Sequence, residues 1–212
     1  MRYLSLVATI AAAMILAAFP AVAVPITLTA NLIGANEVPA TGSPGTGFAT
    51  VVLDAAANTM QVQVTFSGLL PTTSTGAPSG TTASHIHCCL DSPFLTGVNV
   101  MVATTTPTFL GFPSGVTSGI YDRTFDLSAA STYNPAFVGN PELNPSGTVA
   151  GAEEVLVAGL LAGETYLNIH TTAFPGGEIR GFLAPVPEPA SIALLGSALA
   201  GLFLVKRRRK VV

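Results

Sequence analysis

Met60-Gln61-Val62-Gln63-Val64-Thr65-Phe66 alternates apolar and polar at every step. A period of two puts all the apolar side chains on one face of a β-strand, whereas a helix would scatter them around its axis. Ile26 to Leu32 repeats the alternation with Thr27, Thr29 and Asn31 as its polar positions, and Phe48 to Leu53 is a strand apolar on both faces. Asp54 to Asn58 carries turn residues and joins the last of these to Met60–Phe66 as a hairpin. Further short strands are expected at Ser84–His87, Val98–Ala103, Gly119–Leu127, Glu164–Thr171 and Glu178–Leu183, the last two joined by Pro175-Gly176-Gly177. Leu70–Thr82 reads as a polar loop and Asn134–Pro145 as a surface loop. Ala150 to Leu161 is the one helical signal, with Glu153 and Glu154 in its first turn and Gly163 as its stop. The expected fold is an all-β antiparallel sandwich with one short helix.

Two apolar ends bracket this body. Arg2, the apolar run Leu4–Ala18 and the small-x-small site Ala21-Val22-Ala23 form a secretory signal peptide over residues 1–23. At the other end Pro187-Glu188-Pro189 precedes an apolar run, Ile192 to Val205, and a basic cluster, Lys206-Arg207-Arg208-Arg209-Lys210. The run falls short of the ~20 residues that cross a bilayer squarely. Ala190 and the long stem of Lys206 extend it. The basic cluster stays cytoplasmic and leaves the body outside. This order of motif, apolar helix and cationic stop resembles the PEP-CTERM signal of exported bacterial proteins. The resemblance implies recognition and removal by an exosortase-type transpeptidase. It also implies residence in the envelope, at the surface or in the extracellular matrix, with the C-terminal helix holding the chain to the membrane transiently or permanently. The chain thus divides into a signal peptide (1–23), one domain (24–185) and a sorting tail (186–212) made of the motif 187–189, a helix 190–205 and a basic tail 206–210.

The domain contains no lysine, and Arg123 and Arg180 are its only bases. Ten carboxylates against two guanidiniums give it a net charge of −8. Such a surface excludes nucleic acid and anionic membrane faces as partners; divalent cations and other matrix components remain. Its two cysteines, Cys88 and Cys89, are adjacent. Neighbouring Cα atoms lie ~3.8 Å apart across a trans peptide, closer than the ~4.4–6.8 Å of an unstrained disulfide. In an oxidising compartment they are therefore free thiols, a strained vicinal ring, metal ligands or intermolecular links.

The chain has three histidines. His85 and His87 are two apart in a strand-like segment and project from one face, and His170 follows Asn168 on another strand. If the two strands pair, three imidazoles converge on a site suited to copper or zinc, to which Cys88 and Cys89 could add soft ligands. The plainer alternative has each ring hydrogen-bonded to a carboxylate or a backbone carbonyl, with Glu178 and Asp91 as nearby acids. Glu178 and Arg180 read as an ion pair along one strand face. No Gly-x-Ser-x-Gly elbow frames a nucleophile, and no Asp-x-Asp-x-Asp loop supports calcium.

Leu32-Ile33-Gly34-Ala35-Asn36-Glu37-Val38-Pro39, Gly45-Thr46-Gly47-Phe48-Ala49 and Val64-Thr65-Phe66-Ser67-Gly68-Leu69 resemble the opening of a CHRD (chordin-type) domain. Ser84-His85-Ile86-His87 and Asn168-Ile169-His170-Thr171, running on to Gly181, are similar to its strongest blocks. The resemblance implies an immunoglobulin-like β-sandwich in an exported protein. A more distant likeness joins His85, His87, His170 and Arg180 to the order of copper ligands and active-site arginine in Cu,Zn superoxide dismutases. That likeness implies copper held by the three histidines, with Arg180 as an anion guide; the chain has no fourth histidine to bridge a second metal. The expected function is a sorted, non-enzymatic, structural or adhesive matrix protein, with a copper-binding and redox-active protein as the alternative.

Overall fold

The computed structural model describes residues 24–187. Its elements are β1 (Ile26–Ile33), β2 (Thr46–Asp54), β3 (Thr59–Ser67), β4 (Thr81–Cys88), β5 (Gly119–Asp126), α1 (Pro135–Val138), α2 (Val149–Ala162), β6 (Thr165–Thr171), β7 (Ile179–Phe182) and β8 (Ala184–Pro185). The strands form one antiparallel sheet in the order β4-β6-β7-β1-β2-β3-β5, with β8 also on β1. The sheet curls until its ends meet: Thr81 at the start of β4 donates to Val116 O at 2.9 Å, and Gly115 donates back to Thr81 O at 2.8 Å. Gly80 makes that closure fit, since a Cβ there would lie 2.4 Å from the Gly115 carbonyl carbon. The all-β architecture read from the alternation is the one observed.

Register explains how the interior fills. In the β2–β3 hairpin Ala49 faces Val64, Val51 faces Val62 and Leu53 faces Met60, all buried, while Thr50 and Gln63 face outward. The inner faces of β4, β6 and β7 add Ile86, Leu167, Ile169 and Ile179 to the same core. Helix α2 buries Ala152, Leu156, Gly159 and Leu160, a spacing of four, three and one that keeps one stripe inward. Gly163 ends it in the left-handed region at φ +74°. Its start differs from the expectation. Thr148 caps Gly151 N at 3.1 Å and the helix begins at Val149, so Glu153 and Glu154 fall in the second turn.

Two other segments also depart from the sequence reading. Val98–Ala103 runs beside β4 without becoming a strand. Side-chain hydroxyls occupy the edge amides of β4, Thr104 Oγ1 accepting from Ile86 N and Thr108 Oγ1 from Ser84 N, each at 3.0 Å. Only isolated bridges such as His87–Val102 remain. Asn134–Pro145 is not a free surface loop: Asn134 caps α1, Phe137 is wholly buried and Asn144 is buried. The signal peptide 1–23, Glu188 and Pro189 of the sorting motif, the apolar run 192–205 and the basic cluster lie outside the described residues. Among those described, no helix is long and apolar enough to cross a membrane.

Candidate metal centre

Strands β4 and β6 pair with His85 opposite Asn168 and His87 opposite Tyr166. Alternation then turns His85, His87, Tyr166, Asn168 and His170 to the outer face of the sheet, away from the apolar core. Segment 98–108 and the turn at Pro175 cover that face. His85 keeps 6 % and His87 8 % of its accessible surface, and His170 is half-buried. One ring nitrogen from each histidine comes within 4.8 Å of the other two.

Each ring uses its other nitrogen on a backbone carbonyl. His85 Nε2 donates to Pro107 O at 2.5 Å, His87 Nδ1 to Val100 O at 2.7 Å and His170 Nδ1 to Pro175 O at 2.9 Å. A carbonyl can only accept, so each of those nitrogens carries the hydrogen and the opposite nitrogen is a bare lone pair. Those lone pairs, on His85 Nδ1, His87 Nε2 and His170 Nε2, are buried and have no hydrogen-bond partner. Burial also holds the rings neutral. It is the main cause that drives His85 down to about 4 and His87 down to about 3, and it lowers His170 as well. The plainer reading thus holds for half of each ring: carbonyls, not Glu178 or Asp91, take one nitrogen and leave the second unsatisfied.

Other expected site residues fall elsewhere. Cys88 and Cys89 are bonded to each other as a vicinal disulfide, so they are neither free thiols nor ligands in this state. Both sulfurs face α2, where a Cβ on Gly159 would stand 2.6 Å from one and 3.0 Å from the other. The Arg180 side chain is buried among protein groups. Its guanidinium stands 3.0 Å from Glu37 Oε2, donates to Val98 O at 3.0 Å and to Asn99 Oδ1, and lies 3.9 Å from the Tyr166 ring centroid. The ion-pair partner expected for it, Glu178, instead accepts from Ser43 Oγ, Leu70 N and Thr171 Oγ1. Of the sorting motif only Pro187 is described. Glu37, Asn99 and Tyr166 were not legible as site residues. The nearest signal was the place of Glu37 in the Asn36-Glu37-Val38-Pro39 block.

The family model of the CHRD domain matches residues 28–183, from the third residue of β1 to just past β7. The chain belongs to the CHRD-domain family. The three histidines and the Glu37–Arg180 pair all lie within this CHRD domain. A second model, the PEP-CTERM protein-sorting motif, matches residues 185–209. It marks this CHRD protein as one exported to the bacterial envelope or surface and recognised by an exosortase-type enzyme. No curated protein and no solved structure matches the chain.

Proposed function

We propose that the CHRD domain binds one copper ion at the cell surface through His85 Nδ1, His87 Nε2 and His170 Nε2. The observation that carries this reading is the set of three buried, partnerless lone pairs beside three carbonyl-bound N–H groups. An unsatisfied buried acceptor costs about 1–3 kcal/mol, and three of them within one histidine cluster are accounted for by a shared ligand. Hydrogen-bonding the far nitrogen of a metal-binding imidazole to a carbonyl is the usual outer-shell arrangement, and it fixes the tautomer. Imidazole suits both zinc and copper, but for a given nitrogen site copper(II) stands above zinc in affinity. Three donors also fall short of the four that close a structural zinc site. Bound copper would supply one-electron redox chemistry, while the chain's own residues hold it, keep it dry and exclude protons from its ligands.

Copper titration and metal analysis of the protein test this. Wild type is expected to take up one copper per chain and His87→Ala to lose it; no copper at micromolar concentration in wild type overturns the reading. A structural or adhesive role in the matrix is the second reading. It is favoured by the outward row Phe48–Thr65–Ile120, where Phe48 keeps 44 % and Ile120 76 % of its surface. In either case we place the mature start near Val24 and C-terminal processing near Pro187-Glu188-Pro189, after transient anchoring by the apolar run. Mass spectrometry of protein from its native host should find nothing beyond that motif; an intact Lys206–Lys210 cluster would mean a permanent anchor.

A further inference from the structure

Three flat groups stand in a row across β4, β6 and β7: His87, Tyr166 and Arg180. The imidazole stacks on Tyr166 with centroids 4.5 Å apart and planes 14° apart, and the Arg180 guanidinium carbon lies 3.9 Å from the Tyr166 centroid on the β7 side. The same two residues grip the covering segment. Arg180 donates to Val98 O at 3.0 Å and to the Asn99 side chain, and Asn99 Nδ2 donates on to Val38 O at 3.2 Å. Val100 N donates to the Tyr166 hydroxyl at 3.3 Å, and Val100 O accepts from His87 Nδ1 at 2.7 Å. Residues 91–99 are almost all exposed and contain no strand or helix. On its C-terminal side Val100 is fixed by β4, where Cys88 N donates to Met101 O at 3.1 Å. On its N-terminal side only the Arg180–Tyr166 clasp holds it.

We propose that Arg180, acting with Tyr166, is the positioning residue of the histidine centre. By clasping Val98–Val100 it pins the Val100 carbonyl on His87 Nδ1, which keeps the proton there and the Nε2 lone pair free. The use of that lone pair rests on the copper reading, but the clasp exists in the metal-free chain and can be tested there. Glu37 pairs with the guanidinium at 3.0 Å and anchors the clasp from the other side. His85 and His170 take their carbonyls from Pro107 and Pro175, outside the clasp. They serve as internal controls.

The test is nitrogen NMR of the imidazoles at pH 7 in metal-free protein, comparing wild type with Asn99→Ala and Arg180→Lys. Wild-type His87 should carry its proton on Nδ1 alone. Both variants should show a mixture of tautomers at His87 with His85 and His170 unchanged, and copper affinity should drop about 10–100-fold, the usual cost of losing an outer-shell partner. Tyr166→Phe, which keeps the stack and loses the hydroxyl, should shift His87 in the same sense by less. Asn99 is exposed, so its variant gives a result even where Arg180→Lys does not fold. A His87 that stays wholly on Nδ1 in Asn99→Ala overturns the clasp, as does a change spread equally over all three histidines. A tautomer shift in a protein that binds no copper would leave the clasp standing and remove the copper reading. A copper loss without a tautomer shift would do the reverse.

Discussion

Replacing Glu37 with leucine should lower the free energy of unfolding by about 3–5 kcal/mol, the usual cost of breaking a buried ion pair from one side. Both side chains of the Glu37–Arg180 pair keep 1 % of their surface. Burial pushes the Glu37 carboxyl up from its ordinary range despite the pull of Arg180, so desolvation outweighs attraction for this group. Removing the acid leaves a guanidinium with two hydrogen bonds, an unpartnered Nε and no counter-charge. Removing both charges is a milder change, because a well-packed apolar pair often replaces a buried ion pair at little cost. Urea unfolding of Glu37→Leu and of Glu37→Leu with Arg180→Leu checks this. The double variant should recover part of the loss. A single variant within about 1 kcal/mol of wild type would mean that the guanidinium finds water.

Acidification should destabilise the metal-free protein well above the range where carboxylates titrate. In the unfolded chain His85 and His87 take up protons near 6.5, whereas in the fold they do so only near 4 and 3. Between those values the unfolded state binds more protons, so stability rises with pH. The contribution is complete above about pH 6.5 and is lost as pH falls toward the folded values. In the middle of that window each of the two removes about 1.4 kcal/mol per pH unit. His170, also lowered, acts in the same direction. Glu37 opposes them, since its raised pKa makes the native state the better proton acceptor just above 4.5. Unfolding curves at pH 6.5 and 5 in the presence of a chelator should show a loss of several kcal/mol, and His87→Phe should flatten the slope. A stability unchanged over that interval would mean that the rings are solvated and charged.

The fold was legible where burial is one-sided. Met60–Phe66 and Ile26–Leu32 alternate because one face meets the core, and a period of two is visible in a single sequence. Helix α2 could be found from its apolar run and Gly163, although its start was displaced because Thr148 provides a cap that Glu153 and Glu154 do not. Val98–Ala103 has strand-like composition, yet the Thr104 hydroxyl takes the Ile86 amide that would have continued its pairing with β4, a competition invisible in a pattern of apolar residues. Of the candidate centre, the three histidines could be named from spacing and family blocks. Their pairing across β4 and β6 brings them together. The carbonyls of Val100, Pro107 and Pro175 that set their tautomers come from irregular segments, where no period marks the contact. Arg180 was read as an anion guide only through the distant likeness to Cu,Zn superoxide dismutases; its burial beside Glu37, 143 positions earlier, is a tertiary fact.

X-ray absorption at the copper edge of the loaded protein is the most direct test of the histidine centre. Three imidazole nitrogens and no sulfur are expected around one ion per chain, with the imidazole signal diminished in His85→Ala and His170→Ala alike. A sulfur scatterer, or copper uptake indifferent to both substitutions, would contradict it.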